Sequence, residues 1–305
     1  MNLDAVVNRP FPLVRQAYGA RDTILYALGV GAGRDPMATA ELPFLYEKQL
    51  RILPSQASTL CYPGAWLAEP GLGIDYARIV HGEQAMTFHR PLHPVGEVIA
   101  EHEILCIDDR GDQRGAFIHF EKRLFDADDG APICSVRSVY ACRGDGGCGS
   151  WGGAPAGAQP MPQREADHVL DIETAAGQAL IYRLSGDYNP LHIDPAVAVR
   201  AGFERPILHG LSTFGAACLA LTQTLCAGVP ERMTALSARF SQPVYPGDIL
   251  RVELFVDGAD VRFRATSRDR GVVVLDRGGA QIALPATIAD APGHSPAISA
   301  MAGAA

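Results

Sequence analysis

A chain of 305 residues is long enough for one large domain or two ordinary ones. With 48% hydrophobic and 20% charged residues it has the composition of a globular protein with a substantial core. Its formal charge of −8, from 26 basic against 34 acidic residues with no cluster of five or more Lys and Arg, argues against nucleic acid as a partner.

In chain order, the opening MNLDAVVNRPFPLV has no basic segment followed by an apolar run, so no secretory signal is expected. Residues 21–29 read as a helix. Gly29-Val-Gly31-Ala-Gly33 follows that helix rather than a strand and lacks the further glycine of a dinucleotide loop. Residues 115–126 and 132–142 are strand-like and flank Ala127-Asp128-Asp129-Gly130, which reads as a hairpin turn. Residues 142–163, crowded with Gly, Pro and Ala, read as a linker near the midpoint. Residues 207–225 are too apolar all round for a surface helix and should be buried. Residues 260–267 and 271–275 repeat the hairpin pattern around Arg268-Asp269-Arg270, and 291–305 has the composition of a disordered tail.

The two halves echo each other. Tyr26-Ala-Leu28-Gly29 returns as Tyr182-Arg-Leu184-Ser185, and Pro91-Leu-His-Pro94-Val-Gly96 returns as Pro243-Val-Tyr-Pro246-Gly247, both displaced by about half the chain. A buried helix wrapped by an antiparallel sheet, twice over, is the α+β double hot-dog arrangement. The expected division is a first unit over 1–141, the linker, a second unit over 164–290 and the tail. The seven cysteines form no Cys-x-x-Cys pair, so reduced thiols are expected rather than a disulfide framework or a metal site. No run approaches about 18 apolar residues, so no membrane span is expected, and without a terminal Ser-Lys-Leu the expected compartment is the cytoplasm.

The stretch with chemistry in it is 182–215, YRLSGDYNPLHIDPAVAVRAGFERPILHGLSTFG. Gly186, Asn189 and Pro190 together exclude a helix interior and make 185–190 a turn. Asp194-Pro195 supplies an N-cap and a first-turn proline, so a short helix begins there and stops at Gly202. Asp187, Asn189 and His192 therefore sit on an irregular segment, where side chains can converge on a substrate. A carboxylate and an imidazole held together can position one water and move protons in either direction, as hydration requires. Asp and Asn in turns are also ordinary turn formers, and spacing alone leaves that open. Gly210-Leu-Ser212-Thr-Phe-Gly215 is not a hydrolase nucleophile elbow.

This stretch resembles the signature of MaoC-like, R-specific (type 2) enoyl-CoA hydratases, in which a Gly-Asp-x-Asn-Pro-x-His-x-Asp-Pro core precedes Gly-Phe and Pro-Ile-x-His-Gly. Here these are Gly186 to Pro195, Gly202-Phe203 and Pro206 to Gly210. ILYALGVGAG (24–33), FLYE (44–47), HGEQ (81–84), RGDGG (143–147) and ARFSQPVYPGD (238–248) extend the likeness over roughly residues 10–290. The resemblance implies reversible hydration of a trans-2-enoyl-CoA to a (3R)-3-hydroxyacyl-CoA. Asp187 and His192 would be the catalytic pair, Asn189 a supporting hydrogen-bonding residue, and the Gly210 N–H the donor to the thioester oxygen. His81, Gly82, Arg110, Tyr188, Pro190, Leu191 and Phe240 would contact the acyl-CoA, although Arg110 reads equally as a solvated turn residue. No cofactor and no metal are implied, and a homodimer is.

The first half departs from this pattern. Where the second has Asp-Tyr-Asn-Pro-Leu-His, the first has Gly29-Val-Gly-Ala-Gly33-Arg-Asp-Pro36 with no histidine, so one catalytic site per chain is expected, with the first half shaping an acyl pocket. A hot-dog acyl thioesterase and a non-catalytic acyl-CoA binding protein are the alternative readings. The second of these should lack Asp187 or His192, and both are present.

Overall fold

The structure, a computed structural model, describes residues 1–153, 155 and 159–283. The tail expected at 291–305 and part of the expected linker lie outside the described residues. The strands are β1 (Val14–Tyr18), β2 (Ile79–Phe88), β3 (Gly96–Asp109), β4 (Ala116–Asp126), β5 (Pro132–Cys142), β6 (His168–Glu173), β7 (Met233–Phe240), β8 (Ile249–Asp257), β9 (Asp260–Ser267) and β10 (Val272–Ile282). The helices are α1 (Leu3–Val7), α2 (Ala20–Gly29), α3 (Leu42–Leu45), α4 (Gln178–Tyr182), α5 (Pro195–Arg200) and α6 (Gly210–Leu225).

The strands build one antiparallel sheet of ten in the order β1-β3-β4-β5-β2-β7-β10-β9-β8-β6. Each half uses the same order, read outward from the centre. The expectation of two separate sheets is corrected at the seam. There β2 pairs with β7, from Glu83 opposite Arg239 to Thr87 opposite Ala235, so the two inner edges cover each other's unpaired backbone groups. Strands bury alternate residues: in β9, Val261, Phe263 and Ala265 face the core while Arg262 and Arg264 do not.

Helix α6 is the wrapped helix. Every residue from Ser212 to Thr222 is buried, and Phe214, Ala217 and Leu221 pack with Leu236, Leu254 and Phe263 of the sheet. The first half differs from the expected second copy of this arrangement. Tyr26, Ala27 and Val30 of α2 and the loop after it cluster with Tyr182 of α4 and Leu219 of α6. The crossings run through glycines: a Cβ at Gly29 would lie 2.9 Å from Tyr182 Cα, and one at Gly215 would lie 2.3 Å from Val30 Cγ1. The first half's own sheet is covered instead by short three-ten turns between residues 47 and 78, from which Trp66, Leu67 and Leu72 pack on Ile104, Ile118 and Phe120.

Two local expectations also change. β10 runs on to Ile282 rather than stopping near residue 275, because Gly278 passes where a Cβ would come within 2.5 Å of Phe263 O. The Gly-Gly pair thus makes an irregularity inside a strand, not its end. The start of the Gly/Pro-rich stretch is folded onto the first half: Gly147 and Gly149 donate N–H groups to the Asp109 carboxylate, and Trp151 bridges Ile107.

Candidate active site

The segment after α4 is held by short-range hydrogen bonds. A three-ten turn ends at Gly186, whose φ of 119° requires a residue without a side chain. Asp187 Oδ1 then accepts from Asn189 N at 3.1 Å, and Asn189 Oδ1 accepts from Leu191 N at 3.0 Å. These successive Asx turns stiffen the loop. Pro190 opens a second three-ten turn that ends on His192. Asp194 caps α5 by accepting from Ala196 N at 2.8 Å, as its sequence indicates.

His192 is buried, and its Nδ1 lies 2.8 Å from the carbonyl oxygen of Ile207. A carbonyl oxygen only accepts, so Nδ1 carries the proton and Nε2 keeps a free lone pair. Burial holds this imidazole below its usual pKa, with the Asp187 carboxylate pulling the other way. His209, 1% exposed, lies face to face with His192 at 3.6 Å between centroids. Its Nε2 donates to the main-chain oxygen of Asp187 at 3.2 Å. Burial, then the neighbouring His192, brings the His209 pKa down to about 3. One ligand-type atom from each of Asp187, His192 and His209 falls within 4.8 Å of the others.

His209 is also the N-cap of α6. Its carbonyl accepts from Ser212 N and Thr213 N, while Gly210 N–H has no acceptor among the described residues. That N–H, at the positive end of a 16-residue helix, suits a developing negative oxygen. Phe240, at the end of β7, packs against Gly210: a Cβ there would lie 3.2 Å from its ring. His81, at the β2 irregularity beside Gly82, stands edge-on to Phe240 at 5.0 Å and reaches Tyr140 at 5.3 Å. The seam between β2 and β7 is what brings these first-half rings to the second-half loop.

Contacts and charge thus link Asp187, His192, Asn189, Gly210, His81, Gly82 and Phe240 into one cluster. Pro190 and Leu191 form the turn that carries His192, and Tyr188 is exposed beside them with the Arg183 guanidinium 5.0 Å over its ring. Arg110 stands apart. It sits at the β3–β4 turn, pairs with Asp108 at 2.7 Å and stacks on Phe117. Sequence reading missed His209 as a buried ring and the phenols of Tyr62, Tyr76 and Tyr140. Burial raises the pKa of all three, helped by the Asp187 carboxylate. His209 could have been suspected from its place before Gly210; nothing in the sequence marks the tyrosines.

Comparison with known proteins identifies the family. The description "MFE-2 hydratase 2 N-terminal domain" matches residues 16–144, and "MaoC like domain" matches residues 157–277. The chain is 36% identical over 290 residues to the peroxisomal enoyl-CoA hydratase 2 of Arabidopsis thaliana, covering 90% of this chain and 93% of that protein. It is 40% identical over 232 residues to 3-hydroxyacyl-thioester dehydratase Y of Mycobacterium tuberculosis, covering 75% and 79%. The crystal structure of a MaoC-like dehydratase from Phytophthora capsici superposes with a TM-score of 0.82 at 32% identity, covering 94% of this chain and all of that one. The chain belongs to the MaoC-like family of type-2 enoyl-CoA hydratases.

Proposed function

We propose that this protein adds water reversibly across the double bond of a trans-2-enoyl-CoA, giving the (3R)-3-hydroxyacyl-CoA. The observation that carries the reading is the contact of His192 Nδ1 with the Ile207 carbonyl, from which the tautomer follows. With Nδ1 donating to Ile207 O, the free lone pair is on Nε2, in a ring close to the Asp187 carboxylate, and the N–H of Gly210 has no acceptor among the described residues. The chain's family and the names of its relatives point to the same chemistry.

The steps balance with these groups alone. The thioester oxygen accepts from Gly210 N–H, and a water is held between Asp187 and His192. His192 Nε2 takes a proton from that water as its oxygen bonds to C3, and the double-bond electrons move onto the thioester oxygen as an enolate. The His192 imidazolium, stabilised by Asp187, then returns the proton to C2 on the same face. Acid–base help of this kind is typically worth about 10²–10⁴-fold, and an oxyanion donor about 10²–10³-fold. Dehydration is the same path reversed.

In this reading the chain has two units, 1–141 and 164–290, with one site between them. The second unit supplies the reacting groups, and the first, lacking a histidine in Gly29–Pro36, supplies the facing wall of His81, Gly82 and Tyr140. A reducing compartment, the cytoplasm, fits cysteines that are all free, and the functional particle is a homodimer. No helix among the described residues is long and apolar enough to cross a membrane.

The test is loss of enoyl-thioester absorbance with crotonyl-, decenoyl- and a bulky enoyl-CoA, coupled to an R-specific 3-hydroxyacyl-CoA dehydrogenase. Coupled signal with any of the three supports the reading. Silence with all three, or thiol release without loss of the double bond, overturns it.

A further inference from the structure

His209 is 1% exposed, yet Asp187, His192 and Gly210, the groups assigned to the proposed steps, are all attached to it. Its Nε2–H holds the main-chain oxygen of Asp187 at 3.2 Å. Its face lies on His192 at 3.6 Å with the planes 25° apart. Its own carbonyl accepts the first hydrogen bonds of α6, from Ser212 N at 3.1 Å and Thr213 N at 3.2 Å, so it sets where the helix begins and where Gly210 stands. Tyr182, itself buried, also packs on it at 4.9 Å between ring centroids, tilted by 51°. The imidazole is thus held by two rings, one stacked and one tilted, in a buried slot.

We propose that His209 is a positioning residue that keeps Asp187, His192 and Gly210 in mutual register, acting through them and not on the substrate. This rests on the hydratase reading above. Two features say that the slot is built for an imidazole and not merely for a flat ring. Its Nδ1 is buried with no partner among the described residues, a penalty that a phenylalanine would avoid. The gain that offsets it is the Nε2–H bond to Asp187, which phenylalanine cannot make. Because His192 is pinned in its plane by Ile207 O and along its normal by His209, the direction of its Nε2 lone pair is determined. The groups around His209 also keep it uncharged: burial and the neighbouring His192 and Arg183 disfavour the cation, with only Asp187 favouring it.

The experiment separates the two links. His209→Gln retains a donor at the reach of Nε2 and loses the stack; His209→Phe retains the stack and loses the donor; His209→Ala loses both. Misplacement of reacting groups by about 1 Å can cost about 100-fold. The expected result is kcat for crotonyl-CoA reduced about tenfold in the Gln and Phe variants and about 100-fold in Ala, with KM within about threefold of wild type. Wild-type kcat in a folded Ala variant, or a raised KM with kcat unchanged, overturns the proposal. Nitrogen-15 NMR of histidine-labelled wild type decides the matter even if the variants do not fold. His209 should be neutral at neutral pH and protonated at Nε2, and an Nδ1–H tautomer or a charged ring overturns the assignment. A wild-type enzyme inactive on every enoyl-CoA would count against the hydratase reading, while the tautomer would still be read on the same protein.

Discussion

The side chain of His192 and the main chain of Ile207 meet at 2.8 Å, Nδ1 to oxygen, and this one contact decides which nitrogen of the imidazole carries the proton and which keeps its lone pair. In the proposed mechanism a proton on Nδ1 leaves Nε2 as the base, and Asp187 orients the water and steadies the imidazolium. Replacing His192 with Gln, or Asp187 with Asn, keeps similar shape and removes that chemistry. Each variant should fold normally and lose at least about 10²-fold in kcat on crotonyl-CoA. A folded variant within about tenfold of wild type would show that the residue is wrongly assigned.

The acid limb of the rate follows from the same imidazole. As a base, His192 works only unprotonated, and burial holds its pKa below the usual value. The rate should therefore stay level below the ordinary imidazole pKa of about 6.5 and fall only as pH drops through the depressed one. A limb centred at or above about 6.5 would exclude His192 as the base.

Stability should respond to acid as well. Burial, aided by Lys122, brings the His102 pKa down to about 4, and burial, aided by His192, brings that of His209 to about 3. Each ring is neutral when folded and takes up a proton near pH 6.5 when unfolded, so the unfolded state binds more protons in between. The stability involved is complete above about 6.5 and declines on acidification, by about 1.4 kcal/mol per pH unit for each histidine. Thermal midpoints at about pH 7 and about pH 5 would reveal it. Equal midpoints would mean that these rings are not held neutral.

At the start of α6, Gly210→Ala would bring a methyl group to 3.2 Å from the Phe240 ring. Either that ring or the first turn of the helix must yield, and the N–H moves off its line to the thioester oxygen. The expected loss is up to about 10²-fold in kcat, within the range for an oxyanion donor. Unchanged kcat and KM would remove Gly210 from the mechanism.

The first-half loop offers the opposite test. Among the described residues Asp35 Oδ1 accepts only from the nearby Met37 N, at 2.8 Å, in an exposed turn. Asp35→Ala should leave kcat within about threefold of wild type. Collapse of turnover in the folded variant would mean that this loop still takes part in catalysis.

What the sequence determined by itself was local. The Gly186–Asn189 turn, the Asp194 cap and the buried course of α6 depend on neighbours a few residues away, through backbone conformations and short hydrogen bonds that residue type controls. The hairpin over 115–142 was legible for the same reason, and the two-fold echo pointed to a duplication without saying how the strands are ordered. Tertiary structure alone decided the contacts that turn these pieces into a site. The Ile207 carbonyl reaches His192 across 15 residues and His209 reaches the Asp187 carbonyl across 22. The β2–β7 seam that carries His81 to Phe240 joins opposite halves of the chain. The departure of α2 from its own sheet turns on close approaches at Gly29 and Gly215. None of these follows from periodicity or spacing, because packing energy depends on which surfaces fit together in space, and side chains distant in sequence meet only once the whole sheet has closed around α6.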